Sequence, residues 1–150
     1  RYSTKVTRLA MPDYMADTGE REQISAENRK TADRILQLCR ENGAQLLLVE
    51  LPTVTSWNAA RHRGVAEFAA ARELEFLDLN LLYDQMGLDG AVAFRDAGNH
   101  LNVIGATAVT AYLGRYIARG YRLPDLRGNS RYANRQEEWV CYRRFVNGNV

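Results

Sequence analysis

Cysteine is scarce in this 150-residue chain: Cys39 and Cys141 are the only two. That excludes a disulfide framework and a cysteine-built metal cluster, and spacing alone does not decide whether the two pair. Histidine is equally rare, with His62 and His100. His62 has no Cys, Asp or second His at ligand spacing, so no metal site is read. No apolar run approaches the roughly 18–20 residues of a membrane span, and no basic–apolar–small signal-peptide pattern is present. The formal charge of +2 does not demand a polyanion, and no nucleic-acid partner is expected. A glycine-rich phosphate loop, an internal repeat and a low-complexity tract are all missing, and no cofactor is implied. The first residue is Arg1 rather than Met, which points to an upstream segment where any targeting information would lie.

What is present reads as alternating helix and strand. Ser25 offers an N-cap, with Glu27 in the first turn where the helix dipole favours an anion. Ala32, Ile35, Leu36 and Cys39 follow at helical spacing, and Gly43 suits the C′ position. This predicts an amphipathic helix over about 26–42, with Cys39 on its apolar stripe. Leu46 to Leu51 is a short continuous apolar run that stops at Pro52, the pattern of a strand buried on both faces. A second helix is expected over about 58–72, burying Ala59, Val65, Phe68 and Ala69. A second apolar run, Leu74 to Leu79, ends at Asn80. Residues 83–99 read as a long loop. Asn102 then caps a third helix that buries Ala106, Val109, Leu113, Tyr116 and Ile117. The alternation argues for a parallel sheet with helices on its faces. From Tyr121 the composition shifts, so residues 1–120 are expected to form the α/β domain and 121–150 an extension packed on it.

Ligands of open parallel sheets bind beyond the carboxyl ends of the strands. That rule selects the loops after Pro52 and Asn80, and the segment from 94 to 102 that leads into the last helix. There His100 sits beside a helix N-terminus, with Asp96 four residues earlier across an Ala-Gly-Asn turn. An aspartate that accepts the imidazole N–H fixes its tautomer, which is the base-and-orienter half of a nucleophilic triad. On spacing alone a surface ion pair or a capping arrangement is the preferred reading of the two residues. Trp57 follows a strand end, where it can stack on a sugar ring, wall an acyl pocket or simply pack. Arg61 and His62 fall on the first turns of a helix and read as solvated. Tyr132, Arg135, Tyr142, Arg143 and Arg144 interleave bases with aromatics; the aromatics are expected to pin the tail while the arginines stay in water.

The block Asp-Ala-Gly-Asn-His-Leu-Asn-Val-Ile-Gly-Ala from Asp96, followed by Val109 to Gly114, resembles the last sequence block of SGNH/GDSL hydrolases. More narrowly it resembles a bacterial branch in which Asp, His-Leu-Asn and Gly-Ala open the terminal helix. Upstream, Leu46–Pro52 with Trp57, Arg61 and His62, and then Phe76 to Asn80, are similar to the strands and connections of that branch. Downstream, Tyr121 to Gly128 with Tyr132 and Trp139 resembles its tail, so the likeness spans about residues 26–142. It departs in two places. Three residues separate Asp96 from His100 where the family usually has two, and the blocks carrying the nucleophilic serine and the oxyanion-hole Gly and Asn are not recognisable. Ser3, Ser25, Ser56 and Ser130 are the serines present, and none carries the family's context.

The resemblance implies a three-layer α/β/α, flavodoxin-like SGNH fold with a parallel sheet, of which this chain is the C-terminal part. It implies a serine ester hydrolase or acyl-transfer relative without metal or organic cofactor. His100 would be its general base, Asp96 the orienting carboxylate, and Trp57, Asn102 and Arg61 the substrate contacts. The partners so implied are a small-molecule or glycan ester and the N-terminal remainder of the same protein, in an extracytoplasmic or membrane-anchored setting. Two other readings stand beside it. One is a non-catalytic glycan- or polymer-binding domain that keeps the fold. The other is an unrelated flavodoxin-like regulatory domain, which leaves the 96–106 block unexplained.

Overall fold

A computed structural model describes residues 3–148. Its chain falls into two compact units, one of residues 10–83 and one that joins residues 1–9 to 84–150.

The unit of residues 10–83 opens with helix α1, Ala26–Glu41. Ser25 caps it, accepting the Asn28 backbone N–H at 3.2 Å, and Gly43 takes a positive φ of 64° just past its end. Leu36 is its one buried side chain. Cys39 is half-buried, whereas Ile35 and Leu38 face solvent, so the stripe read from the sequence is narrower than expected. Strand β1, Leu47–Glu50, pairs in parallel with β2, Glu75–Asp78, in the register Leu47 to Glu75 and Glu50 to Asp78. Parallel neighbours need a crossover, and helix α2, Ala59–Ala70, lies between them in sequence and packs on β2. Among the described residues the sheet has these two strands only. With no strand on its other side, β1 is half-buried along its length, a correction to the doubly buried strand expected from its apolar run. Leu77 and Leu79, with Phe68 and Ala69 from α2, are buried in this unit.

A single turn, α3 (Tyr83–Met86), spans the boundary between the units. In the unit of 1–9 with 84–150, the chain beyond Met86 makes turns rather than an open loop. Thr7 N–H donates to the Phe94 carbonyl at 2.9 Å and Leu9 N–H to Ala91 at 3.1 Å, so the N-terminal segment lies along residues 91–94. Ala93 and Phe94 are fully buried. Helix α4, Val103–Gly120, buries Val103, Gly105 and Val109, while Ala106, Leu113, Tyr116 and Ile117 are partly exposed. A 3₁₀ turn, Ser130–Tyr132, leads into helix α5, Ala133–Asn147, whose Trp139 and Tyr142 rings stack at 5.8 Å. The Tyr142 hydroxyl lies 3.3 Å from Thr107 Oγ1 on α4, but Trp139 is half exposed, so the tail aromatics anchor the extension only in part. Helices make up about 49% of the described residues, and none of the described ones is long and apolar enough to cross a membrane. The architecture is mixed helix and strand, of α/β type.

Candidate functional site

The segment 94–102 is a tight, hairpin-like loop. Phe94 and Leu101 form an antiparallel bridge, and the Arg95 N–H donates to the His100 carbonyl at 3.0 Å. The turn between them requires the left-handed region at two consecutive positions, Ala97 (φ 55°) and Gly98 (φ 101°). Glycine takes that conformation freely, whereas alanine adopts it at a cost of about 1–2 kcal/mol. What the turn achieves is visible at its mouth. Asp96 folds back on His100 twice, accepting the backbone N–H on Oδ1 and the ring Nδ1–H on Oδ2, each at 2.6 Å. A carboxylate only accepts, so in the neutral imidazole Nδ1 carries the proton and Nε2 keeps the lone pair. The ring is 55% exposed, leaving it accessible.

Asn102 supports this loop from behind. Its side-chain oxygen caps α4 through Ile104 and Gly105 N–H at 3.0 and 3.1 Å, and its amide donates to the Val92 and Phe94 carbonyls at 2.7 and 3.3 Å. With 1% of its surface exposed, Asn102 is placed as a brace, and its polar atoms are occupied. Gly105 permits the close approach, because a Cβ there would lie 2.5 Å from the Ala93 carbonyl oxygen. Of the serines, Ser3 reaches the start of α4 through its backbone, accepting the Val103 N–H at 2.8 Å.

Desolvation works against ionisation of Asp96. The bonds from the His100 ring and backbone, with the His100 and Arg95 charges, outweigh it and hold the carboxyl below its ordinary value of 3.8. The sign follows from that direction. The stability that the Asp96 carboxylate contributes is present above pH 3.8, persists below it, and is lost only as pH falls through the depressed value. A ¹³C NMR titration of the Asp96 carboxyl is therefore expected to show a midpoint below 3.8; a midpoint at or above it would mean that the loop is open in solution.

Trp57 and Arg61 belong to the unit of 10–83. Trp57 donates its indole N–H to Asp78 Oδ2 at 2.8 Å. Arg61 is held in a clasp, with Nε donating to Glu22 at 2.9 Å and Nη1 bonding the Ser56 carbonyl. His62, read from the sequence as solvated, is instead drawn onto the same Asp78 oxygen, with Nδ1 at 2.7 Å. The other oxygen, Oδ1, accepts the Asn80 backbone N–H at 2.9 Å and its amide at 2.8 Å. Asn80 in turn accepts from Tyr14 and from the Thr53 N–H, each at 2.9 Å. This buried network at the carboxyl ends of β1 and β2 was not anticipated. Its signal was a charged residue inside an apolar run, since a buried carboxylate needs partners.

Among the described residues no three His, Cys, Asp or Glu side chains come together as metal ligands, and Cys39 and Cys141 are both free thiols. Comparison with protein-family models, with curated proteins and with solved structures found no match to this chain.

Proposed function

We propose that this chain is the C-terminal portion of a serine ester hydrolase of the SGNH/GDSL type, or of an acyl-transferring relative, with the three-layer α/β/α fold of that family. The observation that carries the reading is the 2.6 Å bond from His100 Nδ1 to Asp96, which leaves Nε2 as the proton acceptor on an accessible ring. A serine from an N-terminal part of the protein would attack the ester carbonyl. His100 would take the hydroxyl proton and return it to the leaving alcohol, and Asp96 would steady the imidazolium between the two steps. O-acyl groups of a cell-surface glycan are the substrates proposed, in an extracytoplasmic or membrane-anchored enzyme that needs no metal or organic cofactor. The arrangement of residues 93–105 supports the reading physically: a strained turn and a buried Asn cap both serve to fix one imidazole at the entrance of a helix.

A second reading draws on α5. The exposed Trp139 stacked on Tyr142, among arginines, suits a glycan- or polymer-binding domain without a nucleophile. Fluorophosphonate labelling of the complete gene product, mapped by mass spectrometry, separates the two. The hydrolase reading expects one labelled serine, labelling reduced by about 10²-fold or more in His100→Ala, and none in the isolated 1–150 chain. A folded full-length protein that takes no label would overturn it in favour of the binding domain.

A further inference from the structure

The chain contains two histidines, and each holds an aspartate through Nδ1. By physical criteria the second pair is the better built. The Asp78 side chain is 1% exposed against 37% for Asp96. Asp78 accepts from Trp57, His62, and the backbone and amide of Asn80. A carboxylate accepts, so in the neutral imidazole the proton of this bond lies on His62 Nδ1 and the ring presents Nε2 as a lone pair. Phe76 flanks the imidazole, with centroids 5.6 Å apart, which restricts its rotation. The side chain remains 28% exposed.

The place also fits. Asp78 is the last residue of β2 and Glu50 its register partner at the end of β1, so the pair stands at the carboxyl edge of a parallel sheet, where α/β proteins take ligands. Glu50 is half-buried there, and burial with the Asp78 charge beside it raises its carboxyl above the ordinary value. Tyr14 and Tyr83 also face this cluster through Asn80 and through their 3.2 Å hydroxyl contact. The loop after β1 adds the Thr53 and Ser56 hydroxyls, 2.9 Å apart. The surroundings are rich in hydroxyls and hydrogen-bond acceptors, and the neighbouring cation, Arg61, is engaged by Glu22 and the Ser56 carbonyl.

We propose that Asp78 and His62 form a second acid–base site, independent of His100, which takes a small hydroxyl ligand, water or an alcohol, and activates it toward an ester. As the ligand oxygen bonds to the acyl carbon, its proton passes to His62 Nε2. As the ester C–O bond breaks, that proton passes to the departing alkoxide, so no oxidant or further reactant is consumed. Asp78 is the positioning residue, acting through the ring.

The test uses the 1–150 chain and p-nitrophenyl acetate in a His100→Gln background, so that the outcome does not depend on His100 or on any upstream serine. Adding His62→Gln is expected to lower the remaining hydrolysis by about tenfold or more, and adding Asp78→Asn by a comparable factor. Long-range ¹H–¹⁵N correlation of the unmodified chain should show His62 in the Nδ1–H tautomer. Diethyl pyrocarbonate should modify His62 in the folded state. Because these last two measurements need no variant, a substitution that unfolds the chain does not shield the proposal. A hydrolysis rate unchanged within about twofold in folded His62→Gln, or a His62 ring that the reagent reaches only after unfolding, would overturn it and leave Asp78 as a structural tie.

Discussion

Truncation of Phe94 to alanine is expected to destabilise the unit of 1–9 with 84–150 by about 3–5 kcal/mol, the range for removing a buried aromatic side chain. Phe94 has no exposed surface, and its backbone is a junction. Its carbonyl accepts from Thr7 and from the Asn102 amide, and it bridges Leu101 on the far side of the turn. The cavity would therefore open directly beneath the segment that clamps His100. Urea unfolding should show a lowered midpoint, and the His100 ring should lose its single tautomer in the folded state. Phe94→Leu, which keeps most of the volume, should recover the larger part of the loss. A Phe94→Ala chain within about 1 kcal/mol of the parent would mean that the site rests on the backbone bridge rather than on packing.

The second large effect is expected at Gly64, in the middle of α2. Here the carbonyl of Glu22 lies where a Cβ would be placed, and a backbone atom cannot rotate away. Residues 17–22 run across this face of the helix, held by the Glu22 N–H to the Ala60 carbonyl at 3.0 Å, by Arg61 on Glu22, by Arg63 on Asp17 and by Arg21 on Glu67. Alanine in a helix interior is worth up to about 1 kcal/mol over glycine. Displacing the crossing segment costs more, so Gly64→Ala is expected to lose about 1–3 kcal/mol net. In a unit of this size that lowers Tm by about 4–8 °C per kcal/mol. Gly114 on α4 is the control: a Cβ there meets nothing within 4 Å, so Gly114→Ala should stabilise. Equal and positive shifts at both sites would show that the 17–22 segment does not lie against α2 in solution.

Elements that announce themselves singly were legible in the sequence. Ser25 and Asn102 mark the starts of α1 and α4 because a capping side chain bonds its own next turn. The parallel pair of short apolar runs was legible for the same local reason, as was Asp96 with His100 across four positions. Helix α5 was missed. Its start, Tyr132, makes no side-chain cap bond and its apolar residues do not gather on one face, so the segment read only as an extension packed on the domain. The run without Gly or Pro from Ser130 to Asn147 was the available hint. The His62–Asp78 bond joins a helix to a strand, and no local period reports such a pairing. The narrow burial of α1 and β1 likewise depends on which neighbours surround them, which propensity does not encode.

The N-terminal segment of this chain waits longest for its partners. Thr7 and Leu9 bond to Phe94 and Ala91, and Ser3 to Val103, so the ribosome makes residues 3–9 before residues 10–83 and supplies their neighbours only after those have emerged. The enclosed unit can thus complete its own core while the other remains open, and closure over so long a stretch of chain carries the larger entropic cost. Until that closure, the loop that fixes His100 lacks one of its walls. Acid–base geometry at residues 96–100 is therefore a late product of folding, set by the meeting of the two outer segments rather than by the turn alone.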